Sequence, residues 1–430
     1  MRRICMDLMM NILTSLISQA AVLVALMSFI GLIAQKAPFE RVMTGTLKTF
    51  LGFLVMSQGG TIITGMLNPL NEIMMEAFHI QGVIPVNEAI SAIAAEQFGT
   101  QMALIAFFGL ILNMILARIT RFKYIFLSGH HTIFMGALTS VMLSALGLEP
   151  VVVVVIGTII VGVLSVITPA ISMPFMRKVT GGDTIAMGHW ATTSYVVAGF
   201  AGKLLGGDPE TTSTEKLEFP KWMSFFREPV LLMGIGVFLV TVISCIFAGA
   251  PFVAKYAGDT NMVVWAFIQG FTFSAGVTVI LTGVRMILAE LVPAFKGIAE
   301  KIVPDAIPAL DCPTVFTFAP NAVLVGFFAY TIGQLIAFFI FLQLGMTVIV
   351  PTLLHSFFMG GTAAVFGNAT GGKRGAFFGA LIAGILNNIL CSMLFPVFGS
   401  LGFSGTTFAD TDFSIIGLLI YSIGKMFGLA

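Results

Sequence analysis

The chain has 430 residues, of which 57% are hydrophobic and only 10% charged, with a formal net charge of +1. A soluble domain carries about 25% charged residues, so the composition excludes an ordinary water-soluble fold and specifies an integral membrane protein in a lipid bilayer. The balanced charge excludes a nucleic-acid partner, which needs a clustered basic face.

Each membrane-spanning helix needs ~20 mostly apolar residues. In chain order the candidates are Leu8–Ala34, Leu47–Met66, Gln101–Ile119, Tyr124–Leu146 and Val151–Met173. After a polar interval, Gly207–Glu228, come Val230–Ala250, Val263–Leu291, Ala322–Leu344, Met346–Phe366, Ala376–Pro396 and Ile415–Leu429, giving eleven. The basic lead MRRICMD runs into an apolar stretch too long for a signal-peptide core of about 7–15 residues, so a retained first helix is expected. The fold class is therefore an all-α polytopic membrane protein. The run Tyr195–Leu205, preceded by Gly181-Gly182, is too short to span and fits a re-entrant hairpin.

An internal repeat shows at an offset of 224 residues. His131 to Gly136 (HTIFMG) lines up with His355 to Gly360 (HSFFMG), Gly59 with Gly283, and Pro69 with Pro293. Asn87 then falls on Asp311. The expected organisation is one membrane domain over 1–430, with a first repeat at 8–205, a polar loop at 206–228, and a second repeat plus terminal helix at 229–430. An odd number of spans per unit inverts the second copy, a recurrent transporter plan with the site at the repeat interface.

The stretch Val303–Val323 breaks the apolar pattern with four prolines and with Asp305 and Asp311. Non-helical backbone at membrane depth is tolerated only where protein buries it or it lines a watery cavity. Four polar segments are candidates to meet there: His79–Ala89 with Asn87 and Glu88, Ser128 to His131 with His130 and His131, Gly181–Thr193 with His189, Trp190 and Thr192, and the segment around Asp311. Ionisable groups inside a membrane cost ~2.5–3.5 kcal/mol on insertion scales and mark pathways or sites. Carboxylates, amides and imidazoles bond hydroxyls directionally, which suits a small polyol or sugar acid. Plainer readings stand beside this one: Asp311 as a helix cap after Pro308, Glu88 as a loop acid, His355 as a packing histidine, and Arg285 and Glu290, within one span, as pairing with each other or with neighbours. The four cysteines, Cys5, Cys245, Cys312 and Cys391, contain no CxxC pair. No HExxH, Walker-type loop or GxSxG occurs. No catalytic residue, metal or cofactor is expected.

The string ALDCPTVFTFAPNAVLVGF (Ala309–Phe327), the TIGQLIA segment (Thr331–Ala337) and the upstream Gly283–Ile307 carry a family resemblance. With TLKTFLGF (Thr46–Phe53) and the Gly-His pairs at His130 and His189, the chain resembles the ascorbate-type (Sga/Ula family) enzyme IIC of the bacterial phosphoenolpyruvate-dependent sugar phosphotransferase system. That resemblance implies a homodimer in the bacterial inner membrane with eleven spans plus re-entrant hairpins. It also implies a V-shaped dimerising part, a core that moves substrate by an elevator mechanism, and phosphorylation by a cytoplasmic IIB charged through IIA, HPr and enzyme I. The phosphoryl-carrying cysteine is expected on a separate IIB. Carried over by position, His130, His189 and Asp311 fall in substrate-contacting segments. Relatives of the ascorbate type carry glutamines after both Gly-His pairs, where this chain has His131 to Met135 and Trp190 to Thr193. L-ascorbate is the leading substrate, with another sugar acid, a polyol or a pentose-type sugar as alternatives. An ion-coupled secondary sugar transporter is the competing class.

Overall fold

A computed structural model describes residues 20–79, 82–400, 402–403 and 405–429. The expected first span, Leu8–Ala34, lies in part outside these residues, as does Cys5; its helix is described from Ala20 as α1 (Ala20–Ala34). The next helix runs well past the ends predicted for its span. Helix α2 (Phe39–Phe78) has 40 residues, about 60 Å at 1.5 Å per residue, against a hydrocarbon layer of ~30 Å. It ends where His79 adopts a left-handed conformation.

The chain then runs through β1 (Gly82–Pro85), α3 (Asn87–Ile119), β2 (Tyr124–Phe126), α4 (Gly129–Ala145), α5 (Pro150–Thr180), β3 (Ala186–Met187) and α6 (Thr192–Leu205). The predicted span Tyr124–Leu146 is thus a strand followed by a helix of only 17 residues. Helix α3 begins 14 residues earlier than hydropathy suggests, because its first turns carry the polar Asn87 and Ser91 buried within the protein. In the polar loop lie α7 (Pro209–Thr212) and two short 3-10 turns. The second half contains α8 (Pro229–Ala248), α9 (Ala250–Ala257), α10 (Met262–Ile302), β4 (Ile307–Leu310), α11 (Pro313–Phe316), α12 (Pro320–Leu344) and β5 (Val348–Ile349). It closes with α13 (Leu353–His355), a π-helical turn Ser356–Gly360, α14 (Gly361–Gly399), β6 (Thr406–Thr407) and α15 (Thr411–Met426).

Among the described residues, seven helices are long and apolar enough to cross a membrane: Phe39–Phe78, Asn87–Ile119, Pro150–Thr180, Val230–Ala248, Met262–Ile287, Pro320–Leu344 and Leu353–Gly399. The predicted pair Met346–Phe366 and Ala376–Pro396 lies largely on the last of these, which breaks inside at Gly371 and Gly372. Gly372 has φ +59°, and a Cβ there would collide with Thr212 of the polar loop, so the break needs glycine twice over. Helices α2 and α10 also pack glycine to glycine. A Cβ on Gly52 or Gly283 would strike the other's carbonyl oxygen, and one on Gly59 would lie 2.8 Å from that of Gly276. Such small-residue contacts let helix backbones approach where apolar burial alone gives little drive.

The loop Gly207–Glu228 is tied down and does not simply hang in water. Glu215 Oε1 accepts from the backbone N–H groups of Asn321 (3.0 Å) and Ala322 (3.1 Å), satisfying the first turn of α12. Thr214 N donates to Asn368 Oδ1 at 2.9 Å. Outside the spanning helices, the Thr211 hydroxyl and the Glu210 N–H hold the Asp208 carboxyl below the usual carboxylate range.

The feature that positions the site is a pair of small parallel sheets. In one, β1 lies between β5 and β6, with Val83 opposite Ile349 and Pro85 opposite Thr407. In the other, β4 lies between β2 and β3, with Phe126 opposite Ala309 and Met187 opposite Leu310. Each central strand is flanked by two strands from the other half of the chain. Hydropathy did not signal these six strands, since each has only two to four residues.

Candidate functional site

Parallel strands deliver the residues that follow them to one edge. From the β2-β4-β3 sheet, that edge receives His130 and His131, Asp311 and Cys312, and Gly188 and His189. From the β5-β1-β6 sheet it receives Thr352 and His355, Asn87 and Glu88, and Asp410. Gly188 is needed here: its N–H bonds Leu310 O at 2.8 Å, and a Cβ would lie 2.5 Å from Ala309 O. The Pro-containing β4 is tolerated because its pairing uses the N–H groups around Pro308, as in Ile307 N to Lys123 O at 2.8 Å.

The two edges face each other across a cavity of about 290 Å³. Asn87, Glu88, His130, His131, His189, Asp311, His355 and Asp410 all line it, with Arg285 and a set of apolar side chains. His130 Nε2 is 3.3 Å from Asp311 Oδ2, and His131 Nε2 is 3.6 Å from Asp311 Oδ1. His189 Nε2 lies 3.8 Å from Asp311 Oδ1 and 4.0 Å from Asp410 Oδ2. His131 Nδ1 is 3.9 Å from Asp410 Oδ2. Most of these separations exceed hydrogen-bond length, so the groups surround a space more than they satisfy one another. His131 Nδ1 and Glu88 Oε2 are buried without a hydrogen-bond partner among the described residues.

A second set of contacts holds these groups in place. Asn87 Nδ2 donates to Asp410 Oδ2 at 2.8 Å, and Asn87 Oδ1 accepts from Ala409 N at 2.8 Å. Asp311 Oδ1 accepts from Cys312 N at 2.7 Å. The Tyr195 hydroxyl meets His189 Nδ1 at 3.0 Å, and Thr352 Oγ1 meets His355 Nδ1 at 2.9 Å. Three overlapping sets place metal-capable atoms within 4.8 Å of one another: His130, His131 and Asp311; His131, His189 and Asp410; and His189, Asp311 and Cys312.

Of the residues singled out in the sequence, Asp311, His189, His130, His131, Asn87 and Glu88 meet at the cavity. Trp190 and Thr192 stand behind its wall. Trp190 is fully buried, stacks on Phe126 at 4.6 Å between ring centroids, and donates from Nε1 to His131 O at 2.8 Å. The Thr192 hydroxyl donates to His189 O at 2.9 Å, and its N–H donates to Asp412 Oδ2 at 2.9 Å. Glu290 pairs with Arg41 at 2.6 Å, not with Arg285. Asp410 and Asp412 were missed from sequence, although FADTDF puts two acids into an otherwise apolar tail.

Seven helices long and apolar enough to cross a membrane, among the described residues, together with a cavity lined by ionisable groups define a multi-pass membrane protein. The family model described as EIIC-GAT, PTS system sugar-specific permease component, matches residues 15–412, and the chain belongs to that family. It is similar to a Mycoplasma pneumoniae (strain ATCC 29342 / M129 / Subtype 1) protein named "Ascorbate-specific PTS system EIIC component", at 26% identity over 435 aligned positions. The alignment takes in 88% of this chain and spans 65% of that relative's length.

Proposed function

We propose that this protein is the sugar-carrying IIC permease of a phosphoenolpyruvate-dependent phosphotransferase system, moving L-ascorbate or a related sugar acid inward across the bacterial inner membrane. The observation that carries this reading is the convergence of three imidazoles and two carboxylates, 3.3–4.0 Å apart, on one cavity between the two strand edges. A hydroxylated ring can accept from and donate to all of them at once. At about 290 Å³, the cavity is at the small end of ligand pockets, which suits one monosaccharide-sized molecule. The family and the printed name of the relative support the substrate class.

In this account the sugar enters between the sheets and displaces water from His130, His131, His189, Asp311 and Asp410. Glu88 and Asn87 complete the set. Trp190 and Thr192 act as positioning residues, one on His131 and the other on His189. The core then moves as a body to open toward the cytoplasm, the elevator step. A separate IIB presents its phosphocysteine there, and a sugar hydroxyl displaces the thiolate from phosphorus. IIA, HPr and enzyme I recharge that cysteine.

The two inverted repeats belong to the same proposal, and several observations support them. At the offset of 224, Phe39–Phe78 falls on 263–302, one residue short of α10, and Pro69 falls on Pro293. The contact of Gly52 with Gly283 maps onto that of Gly276 with Gly59. Strands β1 and β4 are both central, each flanked from the other half. The units are 8–205 and 229–430, joined by 206–228, within an eleven-span homodimer whose remaining helices form a V-shaped dimerising part.

Uptake into vesicles tests this reading. Labelled ascorbate is expected to accumulate as its phosphate, and only with IIB and a phosphoenolpyruvate-driven chain. Accumulation of free sugar on a proton or sodium gradient would place the protein with ion-coupled transporters. Uptake of a polyol in place of ascorbate would keep the class and change the substrate.

A further inference from the structure

Arg285 belongs to neither strand edge. It lies in the spanning part of α10, on the face that also presents Leu281 and Val284 to the cavity. It makes no hydrogen bond or ion pair with any described residue, and Glu290, the acid on the same helix, is held by Arg41. Arg285 is exposed, so its guanidinium is open to a ligand, and guanidinium is built for bidentate contact with planar oxyanions. The acids that share its cavity are committed elsewhere or stand apart. Asp410 accepts from Asn87, and Asp311 faces His130 and His131. Glu88 lines the same cavity without an ion pair to Arg285, and its own Oε2 has no hydrogen-bond partner among the described residues.

An Arg285 guanidinium without a partner among the described residues and a Glu88 carboxyl with one unpartnered oxygen, in one cavity and not bonded to each other, ask for a ligand with two unlike ends. From this juxtaposition we infer that Arg285 is a specificity-determining residue that selects substrates carrying a delocalised negative charge, a carboxylate or an enediolate, while Glu88 and the His–Asp groups take the hydroxyls. The inference rests on the permease reading and goes beyond it. It names the group that separates a sugar acid from a neutral polyol of the same size. It also puts that group on α10, an element that contributes no strand-edge residue, so a bound anion bridges α10 to the strand-edge groups.

The test is equilibrium binding to the purified full chain in detergent, with labelled ascorbate and gluconate as anions and xylitol and sorbitol as neutral probes. Arg285→Gln is expected to weaken both anions about ten- to hundred-fold and leave the neutral probes within about twofold, lowering the anion-to-polyol ratio. Arg285→Lys keeps the charge but not the fork, and is expected to recover part of that ratio. If the glutamine variant does not purify as a single species, the lysine variant alone decides, since a lower anion affinity with unchanged polyol affinity is still required. Equal losses for all four probes, or no loss for the anions, would overturn the inference and leave the permease reading standing. A wild-type chain that binds only the neutral probes would overturn both the sugar-acid substrate and the role of Arg285.

Discussion

Asn87 and Asp410, 323 positions apart, share a 2.8 Å hydrogen bond where β1 and β6 end. The same asparagine accepts from Ala409 N at 2.8 Å, so one side chain fixes both the backbone and the carboxylate of the last loop. It joins the two halves of the chain at the point where the cavity opens between the sheets.

Asn87→Ala removes both bonds and strands two buried groups, at about 1–3 kcal/mol each. It is expected to lower the unfolding temperature of the purified protein and to weaken ascorbate binding together. Asn87→Asp is expected to be worse, because it sets a second carboxylate against Asp410 without the donor. Thermal unfolding and binding of both variants check this; wild-type values for Asn87→Ala would remove the asparagine from the site's framework.

Trp190 separates framework from contact. Trp190→Phe keeps an aromatic ring against Phe126 but loses the bond to His131 O, at a cost of about 1 kcal/mol. Trp190→Ala leaves a large void and is expected to cost about 3–5 kcal/mol. Affinity should follow stability in this pair. A phenylalanine variant that melts like wild type yet no longer binds would mean that the indole touches substrate directly.

Much of this was legible in the sequence. Asn87, Glu88, His130, His131, His189 and Asp311 stood out because polar and ionisable residues are rare in a chain this apolar, and all six line one cavity. Asp410 escapes because the last continuous hydrophobic run begins at Ile415, which leaves FADTDF outside it. The strands escaped because β1 and β4 are four residues long and β5 two, too short for periodicity to register. Trp190 belongs by sequence to a polar segment that meets the site, but its burial against Phe126 is a tertiary fact that no local pattern encodes. Helix ends were misplaced wherever a protein-covered surface let polar residues continue a helix, as at the start of α3.

The clamp formed by Glu215 predicts a local effect. Glu215→Ala removes the acceptor for Asn321 N and Ala322 N at the head of α12. Glu215 is exposed, so the loss in global stability is expected to stay at or below about 1 kcal/mol. Cleavage within 207–228 by added protease should nonetheless quicken severalfold. An unchanged cleavage rate would mean that the remaining contacts, such as Thr214 to Asn368, suffice.

Imidazoles and carboxylates this close are also zinc ligands. If they serve hydroxyls, prior treatment with a chelator should leave ascorbate affinity unchanged, while added zinc should compete with the sugar. Loss of binding after chelation, restored by metal, would assign His131, His189 and Asp410 to a resident ion.

The most direct measurement is saturation binding of labelled ascorbate to the purified wild-type chain and to its Asp311→Asn and Asp410→Asn variants, each checked for the same oligomeric state. The account predicts one saturable site per protomer in the wild type and loss of binding in both variants, which still insert and assemble. Wild-type affinity retained in both would contradict it: Asp311 would then be only the local acceptor of Cys312 N, and the chamber between the sheets would not be where the sugar binds.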